Sequence, residues 1–240
     1  MLVEVCANSL ESAMNAEKGG ADRIELCSEL GIGGITPSYG LLKMAKEKLS
    51  IPIHVLIRPR SGDFTYSNMA FEQMKENILL CKKMGFTGVV SGVLHKDFSL
   101  DFERTNELKK VAGAMKFTFH RAFDWVQEPF RVLEQLEEIG IQYVLTSGQQ
   151  KSALDGINLL SKLKQKAKSC VILPGGGIKV DNVMEFKKEN FEAIHLSGTS
   201  FIKTLDEKPA IHMNSLSYIK EDELAVTNQE IIKAICSKVK

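Results

Sequence analysis

The 240-residue sequence has no apolar run of membrane-spanning length, no paired-cysteine spacing and no excess of either charge, and each absence removes a class of function. A bilayer span needs about 20 consecutive apolar residues, so no membrane partner is expected. The 31 basic and 30 acidic side chains leave a formal net charge of +1. That balance lacks the basic face with which duplex-binding proteins neutralise phosphates, so nucleic acid is not an expected partner either. The five cysteines, Cys6, Cys27, Cys81, Cys170 and Cys236, are odd in number and scattered without CxxC spacing. They form neither a disulfide framework nor a structural zinc site. No basic-then-apolar leader precedes the first strand-like run at Leu2, and the cytoplasm is the expected compartment.

What the chain does have is eight short runs rich in β-branched residues, each followed by a stretch of ordinary helix length. They are LVEVCA from Leu2, RIELC from Arg23, PIHVLI from Pro52, GVVSGV from Gly88, KFTFHR from Lys116, YVLTSG from Tyr143, CVILPGGG from Cys170 and AIHLSG from Ala193. Regular alternation of strand and helix implies a parallel sheet with crossover helices. Eight such units match the (β/α)8 TIM barrel of the α/β class, for which about 250 residues is typical. An open doubly wound sheet is disfavoured, because no GxGxxG follows the first strand. Residues 1–240 read as one domain, with a barrel core over 1–204 and a polar, irregular excursion from 205. The excursion leads to a closing helix over Thr227–Ser237, capped by Thr227 or Asn228 and carrying the apolar stripe Ile231, Ile232 and Ile235.

Side chains alternate along a strand, so each run divides into two faces. Leu2, Glu4 and Cys6 oppose Val3 and Val5; Arg23, Glu25 and Cys27 oppose Ile24 and Leu26; His54, Leu56 and Arg58 oppose Ile53, Val55 and Ile57. Thr118 and His120 oppose Phe117 and Phe119, Thr146 opposes Leu145, and His195 and Ser197 oppose Ile194 and Leu196. One face is purely apolar each time and suits the helix layer, which turns the polar set into the barrel. Unpaired burial of such groups costs several kcal/mol, so their recurrence needs a reason. Cys6, Cys27, Arg58, His120 and His195 fall near the C-terminal ends of their strands, where barrel enzymes place their sites. A structural alternative exists for each: Glu25 with Arg23 can be an ion pair filling a layer, and a lone histidine is more often a hydrogen-bonded core residue.

Cys6 and Cys27 end adjacent strands about 5 Å apart, close enough for two thiolates to share Cu(I), which prefers soft ligands. Two buried thiols also fill space well, and on chemistry alone both readings stand. Gly175, Gly176 and Gly177 end the seventh strand, and Gly198 with Thr199 follows the eighth. Barrels bind phosphates with backbone N–H groups at that position, so these residues are an expected anion site, against the alternative of a tight strand-to-helix turn. The loop Arg58–Ser67 is long for a βα connection and carries Arg58 and Arg60, both capable of bidentate contact with an anion.

The motifs EVCANS from Glu4, GGADRIELCSEL from Gly19, GGITPS from Gly33, IRPRSGDFTYS from Ile57, TFHRAFD from Thr118, VLTSG from Val144, PGGGI from Pro174 and IHLSG from Ile194 follow one another in order. With them the chain resembles the CutC family, named for copper homeostasis, whose members are cytosolic (β/α)8 barrels. The resemblance runs through the barrel and stops near Thr204. It places Glu4, Cys6, Glu25, Cys27, Arg58, His120, Arg121, Asp124 and His195 at or near the barrel mouth, and it suggests Cys6 and Cys27 for Cu(I). Ala70 stands where similar sequences often carry Glu.

Two expectations follow from different classes. The resemblance implies a cytosolic copper-homeostasis protein that binds Cu(I) through Cys6 and Cys27 at the mouth, and since exposed barrels of this kind commonly self-associate, a homo-oligomer is expected. The alternative is an enzyme of unassigned substrate. In it Glu4, Glu25, Arg58, His120, Asp124 and His195 supply acid–base or metal-assisted chemistry, and the glycine loops hold a small anion.

Overall fold

The computed structural model describes residues 1–207, 209–211, 213 and 221–240. Eight strands form its centre: β1 (Leu2–Ala7), β2 (Arg23–Leu26), β3 (Ile53–Leu56), β4 (Gly88–Ser91), β5 (Lys116–Phe119), β6 (Tyr143–Thr146), β7 (Val171–Pro174) and β8 (Ala193–Leu196). Neighbours in sequence pair in parallel from β1 to β7, and β8 returns to the free edge of β1. A parallel bridge between Gly175 and His195 joins β7 to β8 and closes the (β/α)8 barrel.

Between the strands run α1 (Leu10–Lys18), α2 (Tyr39–Lys48), α3 (Asn68–Lys83), α4 (Phe102–Ala112), α5 (Pro129–Glu138), α6 (Ile157–Lys166) and α7 (Val183–Lys188), and α8 (Gln229–Val239) completes the ring. Local chemistry starts several of them. The side chains of Ser9, Ser38, Ser67 and Asp101 each accept a backbone N–H of the first turn, satisfying a donor that the helix itself leaves unpaired. In α3 the buried stripe Phe71, Met74, Ile78 and Cys81 has helical spacing and turns toward the sheet.

The outward strand residues Val3, Val5, Ile24, Leu26, Ile53, Val55, Ile57, Phe117, Phe119 and Ile194 belong to one apolar layer with the helices. The interior holds two smaller apolar groups, Cys27 with Leu56 and Val90, and Leu145 with Leu173 and Ala193. The rest of the interior is polar: Glu4, Arg23, Glu25, His54, Thr118 and His195 are all buried there. The division into faces expected from alternation therefore holds for β1, β2, β3, β5 and β8, but fails in β6, where Leu145, expected on the outer face, packs inside with Leu173 and Ala193.

Two features differ from the sequence reading. Thr199 is not a loop residue but opens a strand, β9 (Thr199–Lys203), which pairs antiparallel with β10 (Glu223–Thr227). The described end of the expected irregular excursion is thus a hairpin strand, and residues 208, 212 and 214–220 of that stretch lie outside the described residues. Alternation in ELAVT is too short to announce a strand before its partner is known. The helix starts as expected, with Asn228 as its cap, accepting from Glu230 and Ile231. Among the described residues, no helix is long and apolar enough to cross a membrane.

Candidate functional site

The register of β8, β1 and β2 sets Glu4 level with His195 on one side and Arg23 on the other, and Cys6 level with Glu25. Arg23 Nε donates to Glu4 Oε2 at 2.5 Å, and its guanidinium lies 4.1 Å from the centre of the Tyr143 ring. His195 Nδ1 lies 2.8 Å from Glu4 Oε1 and 3.9 Å from Glu25 Oε2. Burial alone would push the Glu4 carboxyl up, but Arg23 and the hydrogen bond from His195 outweigh it and bring its pKa to about 2. A carboxylate only accepts hydrogen bonds, so His195 must donate through Nδ1–H, which leaves Nε2 as its other functional atom.

Glu25 behaves in the opposite way. Burial raises its carboxyl to about 7, with His195 opposing and Glu4 adding to the rise. Its Oε2 is buried without a hydrogen-bond partner, an arrangement that costs about 1–3 kcal/mol. Burial disfavours the His195 imidazolium, yet Cys6, Glu25 and the bond to Glu4 carry its pKa well above 6.5. The two neighbouring carboxyls, Glu4 and Glu25, are thus shifted in opposite directions from their common ordinary value, which is how acid–base sites are tuned.

Above them opens a cavity of about 1020 Å³, ample for a small organic ligand. Glu25, His195, Cys6, Cys27 and His120 line it, whereas Glu4 lies beneath. The 3₁₀ turn Arg121–Trp125 after β5 supplies the rim on one side. Arg121 Nε donates to Asp124 at 2.8 Å and its Nη2 to Ser147 Oγ at 2.8 Å. Its Nη1 approaches the place where a Gly176 side chain would begin, at 3.4 Å. Asp124 accepts from Thr146 Oγ1 and from the N–H groups of Ser147 and Gln149, so it fixes the arginine and the β6 loop and presents no free carboxylate.

The remaining candidates divide. Arg58 lines the cavity, but its guanidinium donates to the carbonyls of Ile32, Gly34 and Gly62, clamping two loops together. His120 Nδ1 accepts from the N–H of Ala122, its Nε2 has no partner, and burial beside Arg58 lowers its pKa to about 3, so the ring is neutral. It bonds to neither glutamate, and Phe64 packs against it in a tilted arrangement at 4.7 Å. Gly175 and Gly198 serve packing: a side chain at Gly175 would meet Leu145 Cδ1 at 2.5 Å, and one at Gly198 would meet Ile232 Cδ1 at 2.5 Å. Gly176 and Gly177 line the cavity, Gly176 beside Arg121. Trp125 and Phe64 escaped the sequence reading although both line the cavity; a lone tryptophan directly after the TFHRAFD motif was the available signal.

Cys6 and Cys27 both line the cavity and influence each other electrostatically. The Cys27 thiol donates to the carbonyl of Ala7 at 3.6 Å, and burial, then Cys6 and Glu25, push its pKa well above the ordinary thiol value. Among the described residues, the set of three ligand-bearing groups whose donor atoms lie within 4.8 Å of one another is Glu4, Glu25 and His195, without either cysteine.

A family model described as the CutC family matches residues 1–200. The chain belongs to the CutC family. A CutC family protein of Edwardsiella ictaluri is 44% identical over 198 residues, covering 82% of this chain and 79% of its own. One from Proteus mirabilis is 38% identical over 235 residues, covering 97% of this chain and 94% of its own. The solved CutC of Streptococcus agalactiae, described as a proposed copper homeostasis protein, superposes with a TM-score of 0.78 at 29% identity, over 82% of this chain and 98% of its own. The CutC match ends at residue 200, just inside β9, so it takes in the residues of the cavity floor and Arg121.

Proposed function

We propose that this CutC family member is an enzyme that performs acid–base chemistry on a small anionic molecule at the barrel mouth. The observation that carries the reading is the buried relay Arg23–Glu4–His195 with Glu25 3.9 Å from the imidazole. Cys6, Glu25 and the bond to Glu4 together favour the His195 imidazolium, with one ring N–H left for the cavity, and Glu25 sits near half-ionisation at neutral pH. Glu25 takes a proton from the substrate and His195 returns one to it, and loss of the Glu25 proton to solvent with uptake of one by His195 restores both groups for the next cycle. Arg121 Nη1, with Gly176 and Gly177 beside it, receives the anionic group.

The test is solvent deuterium exchange into a panel of small phosphorylated and carboxylated metabolites, followed by mass spectrometry. At least one compound should gain deuterium or be converted, and Glu25→Gln and His195→Asn should each abolish it. A panel untouched by the wild-type protein removes the reading.

A second reading rests on the two cysteines, which line the same cavity as neighbours. Two thiolates suit Cu(I), and Cys6 and Cys27 would hold it there once both protons leave. On this reading the reduced protein binds about one Cu(I) per chain, and the Cys6→Ser, Cys27→Ser double variant loses it. Unchanged affinity in that variant excludes the pair as the copper site.

A further inference from the structure

The cavity has a second wall that acid–base chemistry does not use. Trp125, the single tryptophan of the chain, is 44% exposed at the mouth. It is braced edge-on by Phe64 at 4.8 Å and by Phe98 at 6.0 Å. Phe64 is in turn held between His120 at 4.7 Å and the Arg58 guanidinium at 5.2 Å. The Arg58 clamp on Gly62 fixes the loop that brings Phe64 there. A large aromatic surface kept rigid and open at the rim of a polar cavity is a costly arrangement to leave to solvent. Its indole N–H has no acceptor among the described residues, which leaves a donor beside the apolar face.

We propose that the substrate is a planar aromatic or heteroaromatic anion, its ring lying against Trp125 and Phe64 while its charged group reaches Arg121. Arg121 and Trp125 open and close the same 3₁₀ turn, and four steps of about 2 Å set their backbones about 8 Å apart, the length of a one- or two-ring compound with an acidic substituent. Asp124 inside that turn fixes Arg121 in place, so the spacing between stacking surface and anion donor is built in. The inference rests on the enzyme reading for the anion at Arg121 and adds the ring.

Calorimetric titration of the full chain with phenyl phosphate and methyl phosphate separates the two. The charges are alike, and only the first carries a ring. Phenyl phosphate should bind roughly tenfold more tightly, the usual scale of aromatic stacking, and should change the fluorescence of Trp125. Trp125→Ala should erase the preference while methyl phosphate binding stays, Trp125→Phe should keep most of it, and Arg121→Gln should weaken both ligands. Glu25→Gln should leave the preference intact. Equal affinities, or a preference that survives Trp125→Ala, overturn the aromatic substrate and leave the acid–base reading standing. Failure of the wild-type protein to bind either compound overturns both the ring and the anion at Arg121.

Discussion

Glu4 is fully buried between two groups that carry positive charge, and that position makes it the residue on which the site depends. Replacing it with Gln keeps the shape but leaves Arg23 without its counter-charge in the barrel centre, and breaking such a buried pair costs about 3–5 kcal/mol. Urea unfolding of Glu4→Gln should show that loss, and a change below about 1 kcal/mol would mean that the interior is far better hydrated than its burial implies. The pH dependence follows from the same groups. Burial lowers His54 to about 4 and His120 to about 3 from 6.5. Their stabilisation is present above pH 6.5 and is lost as pH falls through those values. Glu4, lowered from 4.5 to about 2, adds a loss below 4.5. Glu25, raised from 4.5 to about 7, acts in the other direction, its contribution present below 4.5 and lost as pH rises to 7. Between 6.5 and 4.5 the two histidines outnumber Glu25, so the unfolding midpoint should fall on acidification and fall faster below 4.5. A midpoint that is flat from pH 6.5 to 4 would contradict the neutral burial of both imidazoles. Alternation was enough to read which of these residues face inward, because period two is a property of the strand itself. It could not tell that both terminal guanidinium nitrogens of Arg58 are taken up, since that depends on three loop carbonyls that only the folded chain brings to it.

Strands and helices were legible where their own sequence carried the signal: the eight parallel strands, the apolar outer faces of most of them, and the cap and Ile stripe of α8. The β9–β10 hairpin was not, because five polar-apolar residues become a strand only when a partner lies alongside. The same joint shows how the closing helix is positioned. Asn228 accepts the N–H groups of Glu230 and Ile231, donates from its side chain to Ser200 Oγ at 3.2 Å, and donates its own N–H to the Gly198 carbonyl at 2.9 Å. One residue therefore caps α8 and ties it to the start of β9. Asn228→Ala should cost about 1–2 kcal/mol, the upper range for a cap, while Asn228→Asp should restore the helix cap but not the donation to Ser200. Thermal unfolding of the two variants distinguishes the roles: equal midpoints for Asp and the wild type would show that the tie to Ser200 contributes nothing.

On the scale of the whole molecule, closure of the barrel and closure of the helix ring are separate events in sequence. The sheet is complete at β8, and the CutC family match ends at residue 200, yet the last helix comes from residues 229–239. It buries Ile232, Ile235 and Val239 against the rest of the layer. Its approach is so close that a side chain at Gly19 of the β1-to-β2 crossover would meet Ile232 Cβ at 2.7 Å, and Gly198 is matched to the same isoleucine. Three fully buried aliphatic side chains at about 1.5–3 kcal/mol each stabilise by roughly 6 kcal/mol, a large part of the 5–15 kcal/mol that holds an ordinary domain together. A chain cut after Thr204 keeps all eight barrel strands and the residues of the cavity floor but exposes the faces of α1 and α7 that α8 covers. It should therefore fail to fold, seen as aggregation on size exclusion and loss of a cooperative thermal transition, and adding a peptide of residues 221–240 in trans should recover part of that transition. A truncated chain that melts cooperatively within a few degrees of the full protein would show instead that the barrel and its site stand without the closing helix, and that the segment after residue 204 serves something other than stability.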